Sequence, residues 1–161
     1  MKSIADMESE IFEGTANVEE LLAHPDWKLR MLAVLEGVSP EQFKNDPNWV
    51  VRAEVAKQGF GLETLILDEN PLVVVQVAKQ GFGLKTLLNH EDWRVREEVA
   101  KQGFGLETLI LDESPFVRWE VAKQNYGAEV LIEDKHPYVR KAALESLKLA
   151  ERTLNMGGMD L

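Results

Sequence analysis

The octapeptide VAKQGFGL occurs three times in the chain, at 55–62, 77–84 and 99–106, and a diverged copy, VAKQNYGA, occupies 121–128. Consecutive copies begin 22 residues apart. The same phase, unbroken by any insertion, defines six repeat starts: His24, Asp46, Asp68, His90, Asp112 and Asp134. Strict tandem repetition of this length is typical of a linear array in which each repeat packs on its neighbours.

Two short helices are predicted for each 22-residue repeat. The third position is a good helix N-cap in most repeats, namely in Asp26, Asn48, Asn70, Asp92 and Ser114. A helix of about ten residues follows, as in Trp49–Gln58, and its side chains at positions six, ten and thirteen of the repeat share one face at about 100° per residue. Glycine at Gly59 ends this helix. Phe60 is predicted to pack between layers, and a second glycine begins a shorter helix.

The fold class is therefore predicted to be all-α, an α-solenoid of six 22-residue two-helix repeats with a helical cap at each end. Apolar residues at helical spacing indicate the caps: Ile4, Met7 and Ile11 at one end, and Leu144, Leu147 and Leu154 at the other. We expect a single repeat domain over 1–161, divided into a cap and half-repeat (1–23), five repeats (24–133), a final repeat with its cap helix (134–154) and a disordered tail (155–161).

An acid and an arginine recur together in the repeat. In DPNWVVR, Asp46 stands six residues before Arg52, and the same pattern leads from Asp112 to Arg118 and from Asp134 to Arg140. This Asp…Val-Arg pattern resembles that of HEAT-like repeats. The short repeat is closer still to the leucine-rich repeat variant (LRV), an α-solenoid that alternates an α-helix with a 3₁₀ or very short helix. The resemblance implies a superhelix in which the Asp and Arg of neighbouring layers form ion pairs.

The chain departs from this pattern at three positions. His24 and His90 replace the acid, and Val74 replaces the arginine. Some members of the LRV family carry a cysteine-bound iron–sulfur cluster ahead of the repeats. This chain contains no cysteine, so we do not expect that feature.

Composition excludes several kinds of function. Of the 161 residues, 28 are acidic and 18 basic, and the net charge of −10 argues against broad affinity for DNA, RNA or anionic lipid. Without cysteine there is no thiolate nucleophile, zinc–thiolate site or disulfide. No stretch approaches the ~18 apolar residues of a membrane span, and the first residues lack the features of a signal peptide. We therefore expect a cytoplasmic protein.

No pattern in the sequence indicates an enzyme, and no cofactor or metal is predicted. The histidines His24, His90 and His136 lie in different repeats, too far apart to converge on a metal ion. The segment Gly59–Gly61 joins two helices and lacks the preceding strand of a phosphate-binding loop.

Three columns of side chains recur at fixed positions and could bind a partner or serve the fold. The arginines (Arg30, Arg52, Arg96, Arg118 and Arg140) could bind phosphate, although pairing with the acid column is favoured. The lysines (Lys57, Lys79, Lys101 and Lys123) are expected to lie, with the glutamates beside them, on a solvated face. The tryptophans (Trp27, Trp49 and Trp93) could stack on nucleobases, but packing against the next layer is favoured.

Positions that differ between near-identical repeats are the candidates for a binding surface. On the outer face of the first helix, the fifth and eighth positions vary most. They predict an apolar cluster of Leu72, Val74 and Val75, and an aromatic cluster of Phe116, Trp119 and Tyr138. Exposed side chains of these types are the usual anchors of protein interfaces. Arg94 and Glu97, between the clusters, are expected to tune specificity.

Three functions follow from these patterns, in order of preference. The first is a non-enzymatic scaffold or adaptor that binds another protein through these eight residues, a surface that could also mediate self-association. The second is an acidic inhibitor that mimics nucleic acid and blocks a nucleic-acid-binding enzyme. The third, least favoured, is a HEAT-like protein that binds nucleic acid directly through its arginine and lysine columns.

Overall fold

The computed structural model describes residues 2–157, and over that range the chain is all-helical, with no strand. The range contains one 3₁₀ helix, Pro40–Asn45, and twelve α-helices: α1 Ile4–Glu13, α2 Val18–Ala23, α3 Trp27–Leu35, α4 Trp49–Lys57, α5 Leu62–Leu65, α6 Pro71–Lys79, α7 Leu84–Leu87, α8 Trp93–Lys101, α9 Leu106–Leu109, α10 Pro115–Lys123, α11 Ala128–Leu131 and α12 Pro137–Gly157. None of these helices is long and apolar enough to cross a membrane.

The chain divides into two compact units, Met1–Phe82 and Gly83–Leu161. In the first unit, α1 and α2 pack against α3, and the longer helices α3, α4 and α6 pack on one another in chain order. In the second unit, α8, α10 and α12 pack in chain order, and the short helices α9 and α11 lie beside them. Contacts thus join elements that are close in sequence, as the repeat predicts.

The helices begin where the sequence predicts. Asp26, Asn48, Asn70 and Asp92 are N-caps whose side-chain oxygens accept the backbone N–H two residues further on. Ser114 occupies the same position, but its hydroxyl makes no capping bond. The four bonded caps satisfy amide groups that the first turn of a helix leaves without a partner.

The residue that begins each repeat fixes the loop before the helix. Asp46 Oδ1 accepts the N–H of Asn48 at 2.8 Å. His24 and His90 make the equivalent bond through Nδ1, at 3.1 and 3.0 Å from the N–H two residues on. Histidine therefore keeps the loop bond of the aspartate that it replaces, while it offers no carboxylate to an arginine.

The long helices end in left-handed backbone, as predicted from the glycines. Gly59 has φ +84°, and Asn125 takes the same position in the diverged repeat with φ +58°. The aromatic that follows the glycine is only partly covered, since Phe60 is 40% exposed and Phe82 is half-buried. That these rings pack between layers stays a prediction.

The second glycine of the turn is favoured by its left-handed backbone. Gly105 has φ +64° and Gly127 has φ +57°, a region that other residues rarely adopt. A Cβ would also meet the end of a flexible side chain, Leu88 Cδ1 at Gly105 and Ile110 Cδ1 at Gly127, which would have to shift.

The core consists of columns at positions six, ten, eleven and twenty of the repeat. In one repeat these are Val51, Val55, Ala56 and Leu65, all fully or almost fully buried. The prediction that Gln58 shares the core face needs correction. Gln58 is the C-cap of α4, and its Nε2 donates to the C=O of Val34 at 2.9 Å, because the last carbonyls of α3 lack helical partners.

The apolar residues predicted to close the two ends of the array are only partly buried. In α1, Met7 and Ile11 are buried, whereas Ile4 is 49% exposed. In α12, Leu144 is 48% exposed and does not close the end, so that expectation was wrong. The buried positions of α12 carry smaller side chains, among them Ser146, whose Oγ donates to the C=O of Ala122 at 2.6 Å. Of the tail predicted to be disordered, residues up to Gly157 continue α12 and 158–161 lie outside the described residues.

Four buried ion pairs connect consecutive repeats. In each, arginine Nε and Nη2 donate to the two oxygens of the aspartate 16 residues later, at 2.6 and 2.9 Å: Arg30–Asp46, Arg52–Asp68, Arg96–Asp112 and Arg118–Asp134. A third bond runs from Nη1 to a backbone carbonyl at the start of the arginine's own repeat, as from Arg52 to Asp46 at 2.7 Å. The favoured pairing of the arginine and acid columns is thus confirmed for these four.

The ion pairs predict a large difference in stability between two geometrically similar arginines. The side chains of Arg30 and Asp46 are 5% and 1% exposed, whereas those of Arg94 and Asp92, which also form a bidentate pair, are 41% and 19% exposed. Arg30→Ala should lower the free energy of unfolding by about 3–5 kcal/mol because it leaves a buried carboxylate unpaired. Arg94→Ala should cost no more than about 1 kcal/mol. Urea denaturation of both variants measures this difference, and equal losses would contradict the assignment.

The last of these pairs predicts a specific acid sensitivity. Hydrogen bonds and charge from Arg118 hold the pKa of Asp134 below its ordinary value. A carboxyl group whose pKa is lower in the folded state stabilises the fold above its unfolded pKa, near 4, and loses that contribution as the pH falls through the folded pKa. Asp134→Asn should therefore lower the free energy of unfolding at neutral pH, and the difference from wild type should shrink below about pH 4. The control is Glu107→Gln, at an exposed position. A difference that stays constant with pH would contradict this role.

Candidate functional site: an aromatic pocket on the second unit

The three residues of the predicted aromatic cluster surround one pocket. Phe116, Trp119 and Tyr138 line it together with Pro115 and His136, and its volume is about 240 Å³. Its walls are formed by apolar atoms. Tyr138 is 69% exposed and Phe116 54% exposed, so both rings are accessible from solvent.

The repeat explains why these side chains meet. Pro115 and Pro137 are the first residues of α10 and α12, where proline suits a first helical turn. Phe116 and Tyr138 follow these prolines, at the same phase in two helices that pack on each other. Trp119 lies one turn after Phe116 on the same face of α10.

His136 lines the pocket with the carbon atoms of its ring. Its backbone N–H donates to Asp134 Oδ1 at 2.8 Å, which fixes the loop before α12. Its side-chain Nδ1 is buried and has no hydrogen-bond partner among the described residues. Because this nitrogen is buried and the pocket walls are apolar, it does not face a group bound in the pocket.

One side of the pocket is supported by the preceding layer. The Trp93 ring stacks on the Phe116 ring with centroids 4.7 Å apart and planes inclined by 24°. The sequence interpretation that the tryptophan column packs on the next layer is therefore confirmed for Trp93. Such stacking limits the motion of Phe116 and leaves its other surface free for the pocket.

The side chain of Lys123 lies over the ring of Trp119, the second aromatic residue that α10 contributes to the pocket. Lys123 Nζ is 4.4 Å from the centroid of the Trp119 ring and 2.9 Å from Glu120 Oε2. Glu120 itself is buried, as are Glu54 and Glu98 at the same position of other repeats. The expectation that these glutamates share a solvated face with the lysines was therefore wrong. The helix turns them toward the interior, where a lysine one turn later neutralises each charge.

The predicted apolar cluster of the first unit is largely buried. Val74 is 0% exposed and cannot contact a partner, so its assignment to the surface was wrong. The reason is that Val74 occupies the arginine position of its repeat, where Arg52 and Arg96 are also buried. Leu72 and Val75 are half-buried on α6.

The two charged residues predicted to tune specificity already have partners in the chain. Arg94 Nη2 lies 2.7 Å from Asp92 Oδ2, and Glu97 Oε1 lies 3.1 Å from Lys101 Nζ. A partner that used either charge would have to displace these contacts. Both side chains nevertheless lie at the surface, half-buried.

Two pocket residues were missed by the sequence reasoning. Neither Pro115 nor His136 was among the residues predicted for the binding surface. A signal existed for His136, because it is the one histidine at an N-cap position where the other repeats carry Asp, Asn or Ser. An imidazole cannot cap the helix as a carboxylate does, and its ring lies instead against Tyr138, with centroids 5.5 Å apart.

The arginine column does not provide a phosphate-binding stripe. The four paired arginines expose 10% or less of their side chains, and their donors are engaged by carboxylates and carbonyls. Arg140 is exposed and donates through Nη1 to the C=O of Asp134 at 2.7 Å. Direct binding of nucleic acid would thus depend on Arg140 and the lysines.

The comparisons with known proteins leave the site to be interpreted from its geometry. No protein-family model matches the chain, and no curated protein or solved structure is similar enough to it to count as a match.

The stacked pair predicts a measurable coupling within the second unit. In a double-mutant cycle on unfolding, Trp93→Ala and Phe116→Ala should show a coupling free energy of about 0.5–1.5 kcal/mol, as aromatic pairs do beyond their buried area. The pair Trp93→Ala and Tyr138→Ala serves as the control and should be additive. Additive effects for Trp93 and Phe116 as well would show that the stacking does not support the pocket.

Proposed function

We propose that the chain is a HEAT-like α-solenoid of the LRV type whose repeats serve to present a binding surface. Several features support this architecture: long helices that pack in chain order, a short helix after each turn, and arginine–aspartate pairs at a constant separation of 16 residues. The relation to this family and the cytoplasmic location stay predictions.

The function that the site supports best is binding of another protein, without catalysis. The observation that carries this proposal is the pocket between α10 and α12, whose rim consists of exposed aromatic side chains. Large exposed aromatics cost free energy in water and are the residue type most enriched among interface anchors. A partner that buried Phe116 and Tyr138 would remove this cost.

The dimensions of the pocket favour a side chain over a free small molecule. Its volume of about 240 Å³ lies below the roughly 300–1,000 Å³ that small-molecule sites usually occupy. A single bulky apolar side chain, presented by a peptide segment or a folded partner, suits such a space.

A second candidate, an acidic inhibitor of a nucleic-acid-binding enzyme, is supported by a different surface. Beside the short helices α9 and α11 of the second unit, four glutamates are exposed: Glu107, Glu113, Glu129 and Glu133. Binding through such a surface should weaken steeply as salt is raised, whereas binding through the aromatic pocket should change little.

The test compares three forms of the protein as baits in a cell lysate: wild type, the double variant Phe116→Ser with Trp119→Ser, and Leu111→Ser. Leu111 is 81% exposed in the same unit and lies outside the pocket, so its replacement removes a similar exposed apolar side chain. We expect a protein that is captured by wild type and Leu111→Ser but not by the double variant. For that protein, the single variant Tyr138→Ser should weaken binding by about 2 kcal/mol.

Two outcomes would contradict this assignment. Identical captured sets for wild type and double variant would remove the pocket from partner binding. Capture that is lost at high salt and unaffected by the double variant would favour the acidic surface. Circular dichroism of each variant establishes that folding is retained.

A further inference from the structure

We propose that the aromatic pocket also accepts helix α1 of a second copy of this chain, with Phe12 as the inserted side chain. The inference rests on the proposed function only in using the same pocket. The proposed partner is a second copy of the same chain.

Phe12 is presented as a single projecting anchor. Met7 and Ile11, on the inner face of α1, are buried and hold the helix on the first unit. Phe12 lies about 120° around the helix from that face and is 63% exposed. Ser9 and Ala5, one and two turns earlier, are small, and the exposed Glu8 lies one turn earlier on its other side. The ring can enter a cavity while Glu8 lies at the edge of the contact.

The cavity is of a suitable size and character for such a ring. It has apolar walls, a volume of about 240 Å³ and an open aromatic rim. Phe116 and Tyr138 would meet the incoming ring edge-to-face or offset, the arrangements that aromatic pairs prefer.

The charges that surround the two surfaces are complementary. Helix α1 carries four acids and no base within Ile4–Glu13. Three of them have partners, since Asp6 accepts from Ser3, Glu10 pairs with Lys2, and Glu13 accepts the Ser9 hydroxyl at 2.9 Å. Glu8 and Glu13, which flank Phe12, are exposed.

On the pocket side, the neighbouring charges are positive. Lys123 lies over the Trp119 ring, and Lys141 follows Tyr138 by one turn of α12, with its side chain 73% exposed. The acid nearest to Lys141, Glu145, is 3.9 Å away, and Glu120 beside Lys123 is buried. The surface around the pocket therefore suits an acidic helix with an aromatic anchor better than it would suit a basic helix.

The net charge of −10 does not prevent this contact at physiological salt. The Debye length there is about 8 Å, so repulsion between distant parts of two copies is largely screened, while charges at the contact still interact. Lowering the salt should weaken the association, because the repulsion of the whole molecules then reaches further.

The contact allows two kinds of assembly. Two copies can insert their anchors into each other's pockets, which closes a twofold dimer, or each copy can insert its anchor into the next, which forms a chain. In either assembly the average mass of wild-type protein should rise above that of the monomer as its concentration is raised.

A complementation experiment tests this directly on the full-length chain. Phe12→Ser keeps the pocket and loses the anchor, whereas Tyr138→Ser keeps the anchor and loses much of the pocket rim. Each replaces an exposed side chain, so folding should be retained. Sedimentation velocity at physiological salt should show each variant self-associating at least roughly thirtyfold more weakly than wild type, as expected for anchor residues. An equimolar mixture should form a one-to-one dimer, because only one intact anchor and one intact pocket remain.

Three results would overturn the proposal: wild type that remains monomeric at its highest soluble concentration, a mixture that does not dimerise although wild type associates, or association of Phe12→Ser equal to that of wild type. The last result would indicate pairing of pocket with pocket. These outcomes are distinguishable from failure of the proposed function. A monomeric wild type that captures a foreign protein through Phe116 and Trp119 would contradict self-association alone. Trp119→Ser serves as a second pocket variant in case Tyr138 contributes little.

Discussion

The bidentate ion pair between an arginine and the aspartate 16 residues later is the constraint on which the rest of the structure depends. Each guanidinium bonds a carboxylate of the next repeat and a carbonyl of its own, so it fixes the distance and rotation between two layers. Because the pair is buried, neither partner can be lost alone without leaving an uncompensated charge. Within the four paired segments, the constant separation of 16 residues follows from this geometry, since an insertion would separate the partners.

The exceptions to the pairing obey the same rule. Residues 74 and 90 are 16 apart and would form another such pair. They are Val74 and His90, so both the arginine and the acid are absent. His24 likewise has no arginine 16 residues before it, since residue 8 is glutamate. In both histidine positions Nδ1 retains the loop bond. The carboxylate is thus kept where it has an arginine to neutralise it, and an uncharged acceptor replaces it elsewhere.

Much of the fold could be predicted because the repeat averages local signals over several copies. Caps such as Asn48, the terminating glycines and the arginine pairing depend on chemistry within a few residues or at a fixed period. The errors concern side chains whose environment is set by helix ends and by neighbouring layers. Gln58 was assigned to the core by its angle on the helix, although it lies at the C-cap, where carbonyls need donors. Leu144 has the spacing of a core residue, but no layer among the described residues covers it, and it is 48% exposed.

The aromatic cluster was predictable for a different reason, because Phe116, Trp119 and Tyr138 differ from the residues that sister repeats carry. The same criterion failed for Val74, since a difference from the sister repeats does not reveal whether the position faces solvent. The pocket also depends on His136, which was not predicted for the surface although it is the one histidine at the N-cap position of the repeats.

The left-handed backbone at Gly105 and Gly127 implies that positions within the second unit differ in their tolerance of mutation. At the turns before the short helices, any residue with a Cβ would be strained by the positive φ, so these two positions tolerate little variation. On the long helices, the fifth and eighth positions have accepted residues as different as arginine, phenylalanine, glutamate and tryptophan. New binding specificities can therefore evolve on the long helices, while the glycines of the turns stay fixed.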